Sequence, residues 1–451
     1  MNPLLQKVQE AGVVGAGGAG FPTYMKLDCQ VDWVLANGAE CEPLLNKDQM
    51  LMQHHAKELF GGMQLAMAET GAKYGAVGIK RKHADTIACL ELVRPENISL
   101  LLMDDVYPAG DEVELVFHAT GKRIPAGGLP KEIGVVVNNV ESFINVFRAA
   151  QGAGVTHTMV TVNGAVQRPY TAWLPVGMAY REAVALAGGA TCADPVIVDG
   201  GPMMGRVTED DSKVLTKASS GLLVLPRSGR VAKYKLRTPE DLRRIGKSAC
   251  DQCGQCTAMC PRSLLGYPVK PHLAMRALQV SGGDNRSFAL AAQACCECNL
   301  CSMWSCPEGL DPSRVCVTTK QVLREEGRWQ TPEQLQAQTV DVHPMREYRG
   351  VPTKRLVQRL ELTEYAKQEV VFLTDEVSPE RVEILLSQHI GKPAEAIVTI
   401  GDRVVVGQCI GRAAPESLSA AVHASIDGVV TAVGQSIVIE RKTDVNESKT
   451  C

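Results

Sequence analysis

The sequence predicts a multidomain α/β protein with a cysteine-rich domain set between α/β and β-rich parts. Three observations lead there. Apolar runs of strand length alternate with helix-spaced segments through residues 1–152, the pattern of a parallel sheet covered on both faces. Two similar cysteine runs occupy residues 236–330. Short alternating segments bounded by Asn-Gly, Gly-Asp and Asp-Gly pairs mark small β domains at 153–235 and 366–451, with a polar, Gln-rich connector at 331–365.

In chain order, residues 3–14 read as a short helix leading into a glycine loop at 15–20. Segments 31–40, 74–80, 96–104 and 133–140 read as strands, with helices at 56–72, near 83–93 and at 141–151. Residues 153–235 read as a β-grasp-type domain, in which Asn163-Gly164 marks a hairpin turn. In 236–330, helices such as 271–280 separate the cysteine loops. In 366–451, Gly401-Asp402 and Asp427-Gly428 mark the turns of a compact β-sandwich.

Composition excludes several functions. Net charge is −3 over 451 residues with the signs mixed, so nothing points to nucleic acid. No apolar run approaches a membrane span. Sixteen cysteines behind an N-terminus without the basic-then-apolar layout of an export signal read as a reducing, cytoplasmic setting.

The first cysteine run is Cys250, Cys253, Cys256 and Cys260, followed by Pro261; the second is Cys295, Cys298, Cys301 and Cys306, followed by Pro307. Three thiolates on one tight loop plus a fourth before a proline is the ligand pattern of paired [4Fe–4S] clusters, whose fourth cysteine serves the other cluster. Cys250, Cys253, Cys256 and Cys306 are therefore expected around one cluster, and Cys295, Cys298, Cys301 and Cys260 around the other. Zinc is the competing reading, but zinc knuckles need neither the third Cys-x-x-Cys step nor the trailing Cys-Pro. The second run carries one extra residue, Ser302 to Ser305, a bulge expected to loosen its cluster, and Cys296 is a substitute ligand. Cys29, Cys41, Cys89, Cys192, Cys316 and Cys409 read as small buried apolar groups, and Cys451 as an exposed terminal residue. His54-His55 reads as a solvated helix face, His272 as a surface histidine, and Met203-Met204 as core beside a turn.

Gly15, Gly17, Gly18 and Gly20 form a G-x-G-x-x-G match that follows a helix-like segment rather than a strand, so it is not a dinucleotide fingerprint. The glycines still permit close backbone approach, and the following helix offers amides to a phosphate. Three further segments, 37–43, 107–112 and 137–142, place amides and carboxylates at strand ends, where they suit sugar hydroxyls.

With the loop Gly15–Thr23, these segments resemble the FMN- and NADH-binding subunit of respiratory complex I, and more closely the C subunits of Rnf-type complexes. The resemblance implies a complex I flavoprotein-like α/β domain, an SLBB β-grasp domain, a ferredoxin-like two-cluster domain and a barrel-sandwich hybrid domain. That last domain stands first in Rnf C subunits and last here, an order that resembles the cobalamin reductases of propanediol-utilization microcompartments. Carried over by position, Gly15, Gly17, Gly18 and Gly20 match the phosphate loop, Lys26 a phosphate partner, and Phe21 a stacking aromatic. Asn37 and Glu40 match flavin contacts and Glu42 a nucleotide contact. Tyr107, Asp111 and Glu112 match an element near the flavin ring, and Asn138, Asn139 and Ser142 an Asn-Asn-Val-Glu-Thr element. Ala39 and Asp111 depart from the complex I pattern, which has aspartate and glutamate there.

The implied activity is electron transfer from NADH through FMN and two [4Fe–4S] clusters to cob(III)alamin, for coenzyme B12 recycling during 1,2-propanediol degradation. No residue would act as a chemical catalyst in its own right. The implied partners are cobalamin, a corrinoid adenosyltransferase and the shell or lumen proteins of a bacterial microcompartment. Two other readings stay open: a soluble module that reduces a protein acceptor, and a non-catalytic scaffold. Residues 1–14 read as an ordinary first helix rather than a targeting helix.

Overall fold

A computed structural model describes residues 2–279 and 285–441. Val280, at the end of the expected helix 271–280, the last residues of the C-terminal domain, and Cys451 lie outside them.

The first domain is a four-stranded, wholly parallel sheet in the order Ile98–Met103, Tyr74–Lys80, Trp33–Asn37, Val135–Asn139. Its strands are rich in Val, Leu and Ile because both faces are covered. Helices Pro3–Glu10, Ala56–Thr70 and Val140–Ala150 bury Val34, Ala36, Val77 and Val136 on one face. Helix Glu112–Thr120 covers Leu35, Ala76, Val135 and Val137 on the other. The order reverses between Trp33–Asn37 and Val135–Asn139, and in open α/β sheets ligands bind outside the carboxyl ends of strands at such a switch point.

A six-stranded mixed sheet follows, ordered Val371–Leu373, Tyr170–Pro175, His157–Gly164, Gly221–Pro226, Pro195–Asp199, Arg206–Thr208. The expected hairpin is present, but Asn163-Gly164 is not its turn. His157–Gly164 runs straight through both residues, and the chain reverses before Tyr170. Asn163 is instead committed to the first domain, its amide donating to the Leu44 carbonyl at 3.0 Å. A Cβ on Gly164 would stand 2.2 Å from the Val224 carbonyl oxygen, so close strand approach explains this glycine.

The connector 331–365 is not extended. It folds as helices Pro332–Gln336 and Thr353–Arg359 and a short strand, Val351–Pro352, that pairs with Val106–Tyr107. Leu335, Val351, Leu356 and Leu360 anchor it as buried side chains, while Val340, Met345 and Tyr348 stay exposed. Val371–Leu373 joins the second domain's sheet beside Tyr170–Pro175. The C-terminal domain is a sandwich of a four-stranded and a three-stranded sheet around Val382, Ile384, Ile410, Val422 and Ile437. Among the described residues no helix is long and apolar enough to cross a membrane.

A buried ion pair of the first domain meets the second domain. Lys47 Nζ lies 2.6 Å from Glu141 Oε2, both side chains 1% exposed. Lys47 also donates to the Ser219 carbonyl, and the Thr158 hydroxyl donates to Glu141 and to Ser219. Removing one partner of such a pair strands a charge in the core. Lys47→Met should destabilise the protein by about 3–5 kcal/mol, and adding Glu141→Leu should recover much of that loss. Urea titrations of the two variants read both effects directly.

Candidate functional site

The glycine loop is pinched where Val14 bridges Pro22 and where the Gly15 amide donates to the Phe21 carbonyl at 2.9 Å. Gly17 and Gly20 have φ of +72° and +68°, a region that favours glycine. Two contacts fix the loop's position. The buried Ser142 hydroxyl accepts from the Ala16 amide at 3.0 Å. From the C-terminal domain, the Ile390 amide donates to the Gly20 carbonyl, and a Cβ on Gly20 would stand 2.9 Å from the Gln388 carbonyl oxygen. Gly17 to Ala19 are left exposed. Phe21 is half-buried beside them.

Asn37 and Asn139 are register partners at the strand ends of the switch point. Asn139 caps helix Val140–Ala150 by accepting from the Glu141 amide and donates to Asp48 at 2.9 Å. Asn37 donates to the Gly110 carbonyl at 2.8 Å, which ties the strand end to the 107–112 segment. Lys26 donates to the Val137 carbonyl and faces Glu112 at 3.7 Å.

Asn138 differs from its neighbours. It is buried, yet neither its amide nitrogen nor its carbonyl oxygen has a partner, and the buried Thr23 hydroxyl on the helix after the loop is likewise unpartnered. Buried polar groups are nearly always hydrogen-bonded, so these are the groups a polar ligand at the strand ends would satisfy. Open glycine backbone, Lys26, the half-buried Phe21 and the unpartnered Asn138 and Thr23 fit a phosphate-bearing aromatic cofactor such as FMN.

The acids nearby are set by their surroundings. Burial, then the neighbouring Asp48, pushes Glu40 up to about 8, while the Asp48 and Gln49 amides donate to it. Burial raises Asp48 to about 6 against the pull of Lys47 and Asn139. Glu42 has a different task. Its carboxylate accepts from the Met203 and Met204 amides at 2.9 and 2.8 Å, joining the first domain to the second, so those two methionines present backbone rather than a side-chain groove.

Tyr107 and Asp111 also reach across domains. The buried Tyr107 hydroxyl donates to the Cys298 carbonyl at 2.6 Å. Asp111 caps helix Glu112–Thr120 and pairs with Arg262 at 3.0 Å, two residues beyond Cys260. The phosphate-loop end and the cysteine domain are thus joined through residues 107–112.

Cysteines of the two runs come together in mixed groups. Cys250, Cys253, Cys256 and Cys306 line one small hollow, with Cys253 exposed and Cys256 and Cys306 buried. Burial, then Cys306, Cys250 and Cys253, pushes the Cys256 thiol up to about 12. Cys260, Cys295, Cys298 and Cys301 form the second group, in which Cys260 is raised by burial and by Cys296 and Cys295. Cys296 is a member of this group, close enough to Cys298 to raise its thiol. Cys316 belongs here as well: its thiol is raised by the neighbouring Cys295 and by burial, so it is not an isolated apolar filler. Its place on helix Pro312–Glu325, well after both runs, gave no sequence signal.

Among the described residues, no three His, Cys, Asp or Glu side chains close on a single point as one metal ion would require. The first group rings a hollow, and clustered thiols are the donor set a multi-iron cluster uses, each thiolate meeting its own iron. The extra residue of the second run is absorbed as a π-helical turn, Cys301–Ser305. That turn is braced rather than loose: Ser302 donates to Asp311 at 2.8 Å and accepts from the Ser313 amide, and Ser305 donates to the Leu300 carbonyl. His272 hydrogen-bonds Thr257 and lines the first hollow. His54 is exposed, as expected of a solvated face, with one ring face stacked on Phe372, whereas His55 is half-buried and bridges Glu58 and Trp173.

Comparisons with known proteins agree with this division. The Nuo51 FMN-binding domain matches residues 8–148, the SLBB domain 159–207, the 4Fe-4S dicluster domain 249–311 and the RnfC barrel sandwich hybrid domain 363–448. The chain is therefore a flavin and iron–sulfur electron-transfer oxidoreductase of complex I-type architecture. It is 42% identical to cobalamin reductase PduS of Salmonella typhimurium and 42% identical to that of Citrobacter freundii, in each case over 97% of this chain and 96% of the relative. It is also 32% identical to the C subunit of the Na(+)-translocating ferredoxin:NAD(+) oxidoreductase complex of Acetobacterium woodii, over 58% of each chain. The chain belongs to the cobalamin reductase family.

Two outcomes are expected. The native state holds the Glu40 proton from the ordinary glutamate value of 4.5 up to about 8, where the unfolded chain has released it. Stability contributed this way is present below that window and lost as pH rises through it. Glu40→Gln should therefore flatten the fall in urea-measured stability between pH 5 and pH 8.5, values chosen to span about that window. Second, Cys306→Ala and Cys253→Ala should abolish the same EPR signal and remove about half of the bound iron each, whereas Cys260→Ala should abolish the other signal. A signal shared by Cys306 and Cys260 variants would contradict the interleaving.

Proposed function

We propose that this chain is an NADH-dependent cobalamin reductase that takes cob(III)alamin to cob(II)alamin and then cob(I)alamin. The supporting observation is the join between its two cofactor regions, where Tyr107 from the strand-end segment meets the Cys298 carbonyl. The substrate class follows the name carried by full-length relatives. When bound, FMN and [4Fe–4S] clusters supply the conversion of a hydride's electron pair into single electrons and their onward transfer.

The chain's own residues hold and place these groups. The backbone of Gly15, Gly17, Gly18 and Gly20, with Lys26, would receive the phosphate. Asn138 and Thr23 would supply partners for the remaining polar edge, and Phe21 an aromatic face. Asn37, Asn139 and Ser142 act one step back, by holding the strand ends and the loop. Glu40 offers a carboxyl that stays protonated near neutral pH. Tyr107, Asp111 and Arg262 fix the separation between the flavin domain and the second cysteine group. The eight run cysteines, Cys250, Cys253, Cys256, Cys306, Cys260, Cys295, Cys298 and Cys301, would hold the clusters, with Cys296 and Cys316 close to the second.

Cob(I)alamin is consumed by alkylation, so a corrinoid adenosyltransferase is the natural next enzyme. The setting proposed for this chemistry is a propanediol-utilization microcompartment, where shell or lumen proteins would be neighbours. A second reading, transfer to a protein acceptor, draws on the likeness to the Acetobacterium protein over 58% of the chain.

The test is anaerobic addition of NADH to purified protein, followed by visible spectra and EPR with and without hydroxocobalamin. Flavin bleaching, reduced-cluster signals and a Co(II) spectrum are expected. Reduced clusters beside unchanged cobalamin would favour the protein acceptor, and a chain without flavin or iron would be a scaffold.

A further inference from the structure

A surface hollow of about 380 Å³ lies where the first domain, the cysteine domain and the folded connector meet. It is distinct from the flavin site, since neither the glycine loop nor Asn37 or Asn138 lines it. Met259 and Pro261, the chain neighbours of Cys260, form part of its wall, and Leu300, the neighbour of Cys301, forms another part. Tyr107, whose hydroxyl meets the Cys298 carbonyl, closes the inner side. Any molecule seated there stands one residue away from three members of the second cysteine group. We propose that this hollow is the docking site of the electron acceptor, and that it takes the edge of a corrinoid. This rests on the reading of the chain as a cobalamin reductase.

The lining chemistry suits that ligand. A corrin is apolar across its ring and carries carboxamide arms at its edge. Met259, Pro261 and Leu300 offer an apolar wall. Arg346 and Arg349 come from the connector; the Arg346 Nε is buried without a partner, while Arg349 donates to the Ala258 carbonyl. A guanidinium has five donors, so both arginines keep N–H groups for amide oxygens. Glu114, ion-paired to Arg346, together with Asp104 and Glu347, more than offsets the two positive charges, so the site does not select an anion. A neutral or singly cationic corrinoid meets no charge barrier here.

The other openings fit less well. A cleft of about 990 Å³ between the helix Thr23–Leu27 and the C-terminal domain is lined by residues such as Lys7, Tyr24, Arg412 and His423 and by none of the run cysteines. The hollow of the first group is small and walled by its own four thiols. The connector matters for the same reason: the pairing of Val351–Pro352 with Val106–Tyr107 holds Arg346, Arg349 and Gly350 at the rim.

The test uses the anaerobically purified holoprotein with NADH, comparing hydroxocobalamin with ferricyanide as acceptors. His118→Trp fills the mouth from helix Glu112–Thr120, and Glu347→Trp fills it from the connector; both residues are exposed and neither touches a thiol loop. Each variant should lose about tenfold or more in kcat/KM for hydroxocobalamin, mainly through KM, with ferricyanide reduction and cluster EPR unchanged. Cobalamin reduction within about twofold of wild type in both variants would overturn the site while leaving the function standing. Equal loss of both acceptor activities would also overturn it, because the hollow would then serve the internal path. Wild-type protein that reduces ferricyanide but not hydroxocobalamin would overturn the function, and this site with it.

Discussion

The in-register parallel pairing of Trp33–Asn37 with Val135–Asn139 is the constraint on which the rest depends. It creates the point where strand order reverses, and a crevice at that point is a property of the topology rather than of any side chain. Because Asn37 and Asn139 end level with one another, one can tie down the 107–112 segment while the other caps the next helix and holds Asp48. Ser142, one turn into that capped helix, then pins the glycine loop. A shift of one residue in this register would turn Asn138 to the opposite face and separate the loop from the strand ends.

Three polar contacts convert separate domains into one conduit. Glu42 grips the turn at Met203-Met204, Asp111 pairs with Arg262 beside Cys260, and Tyr107 meets the backbone of Cys298. All three belong to the segments 37–43 and 107–112 that follow strands of the first sheet. Their side chains are buried or half-buried, where charge-assisted hydrogen bonds are strong and costly to break. Residues that family resemblance suggested as ligand contacts thus also set the geometry between cofactor regions. The C-terminal domain adds a brace from behind, through Gln388 and Ile390 against Gly20.

Most of the architecture was legible in the sequence, and for local reasons. The strands of the first sheet are buried on both faces, so Val, Leu and Ile cluster into short runs that end in polar residues. The expected crossing of Cys260 and Cys306 came from the ligand pattern of two-cluster ferredoxins, and the fold puts Cys306 beside the first run. What escaped depended on distant partners. The connector looked polar because it carries only a few apolar anchors, and Leu335, Val351 and Leu356 reveal their role only when their docking surfaces are present. Asn163-Gly164 has the composition of a tight turn, yet the neighbouring strand's approach at Val224 accounts for the glycine. Cys316 had no motif to betray it, because helix packing brings it to Cys295. The unpartnered state of Asn138 is likewise a property of the folded chain, since a sequence shows the asparagine but not the lack of a neighbour.

The interleaved cysteines carry a consequence for biosynthesis. A cluster held by Cys250, Cys253, Cys256 and Cys306 remains one ligand short until the second run has left the ribosome. The other, which borrows Cys260, cannot close before Cys301 has been made. With those ligand sets, iron–sulfur insertion would be tied to a late stage of translation, after the flavin domain and its neighbour are already available to fold. A chain truncated between the two runs would complete neither ligand set, and a nascent chain stalled there would expose reactive thiols instead of a stable intermediate.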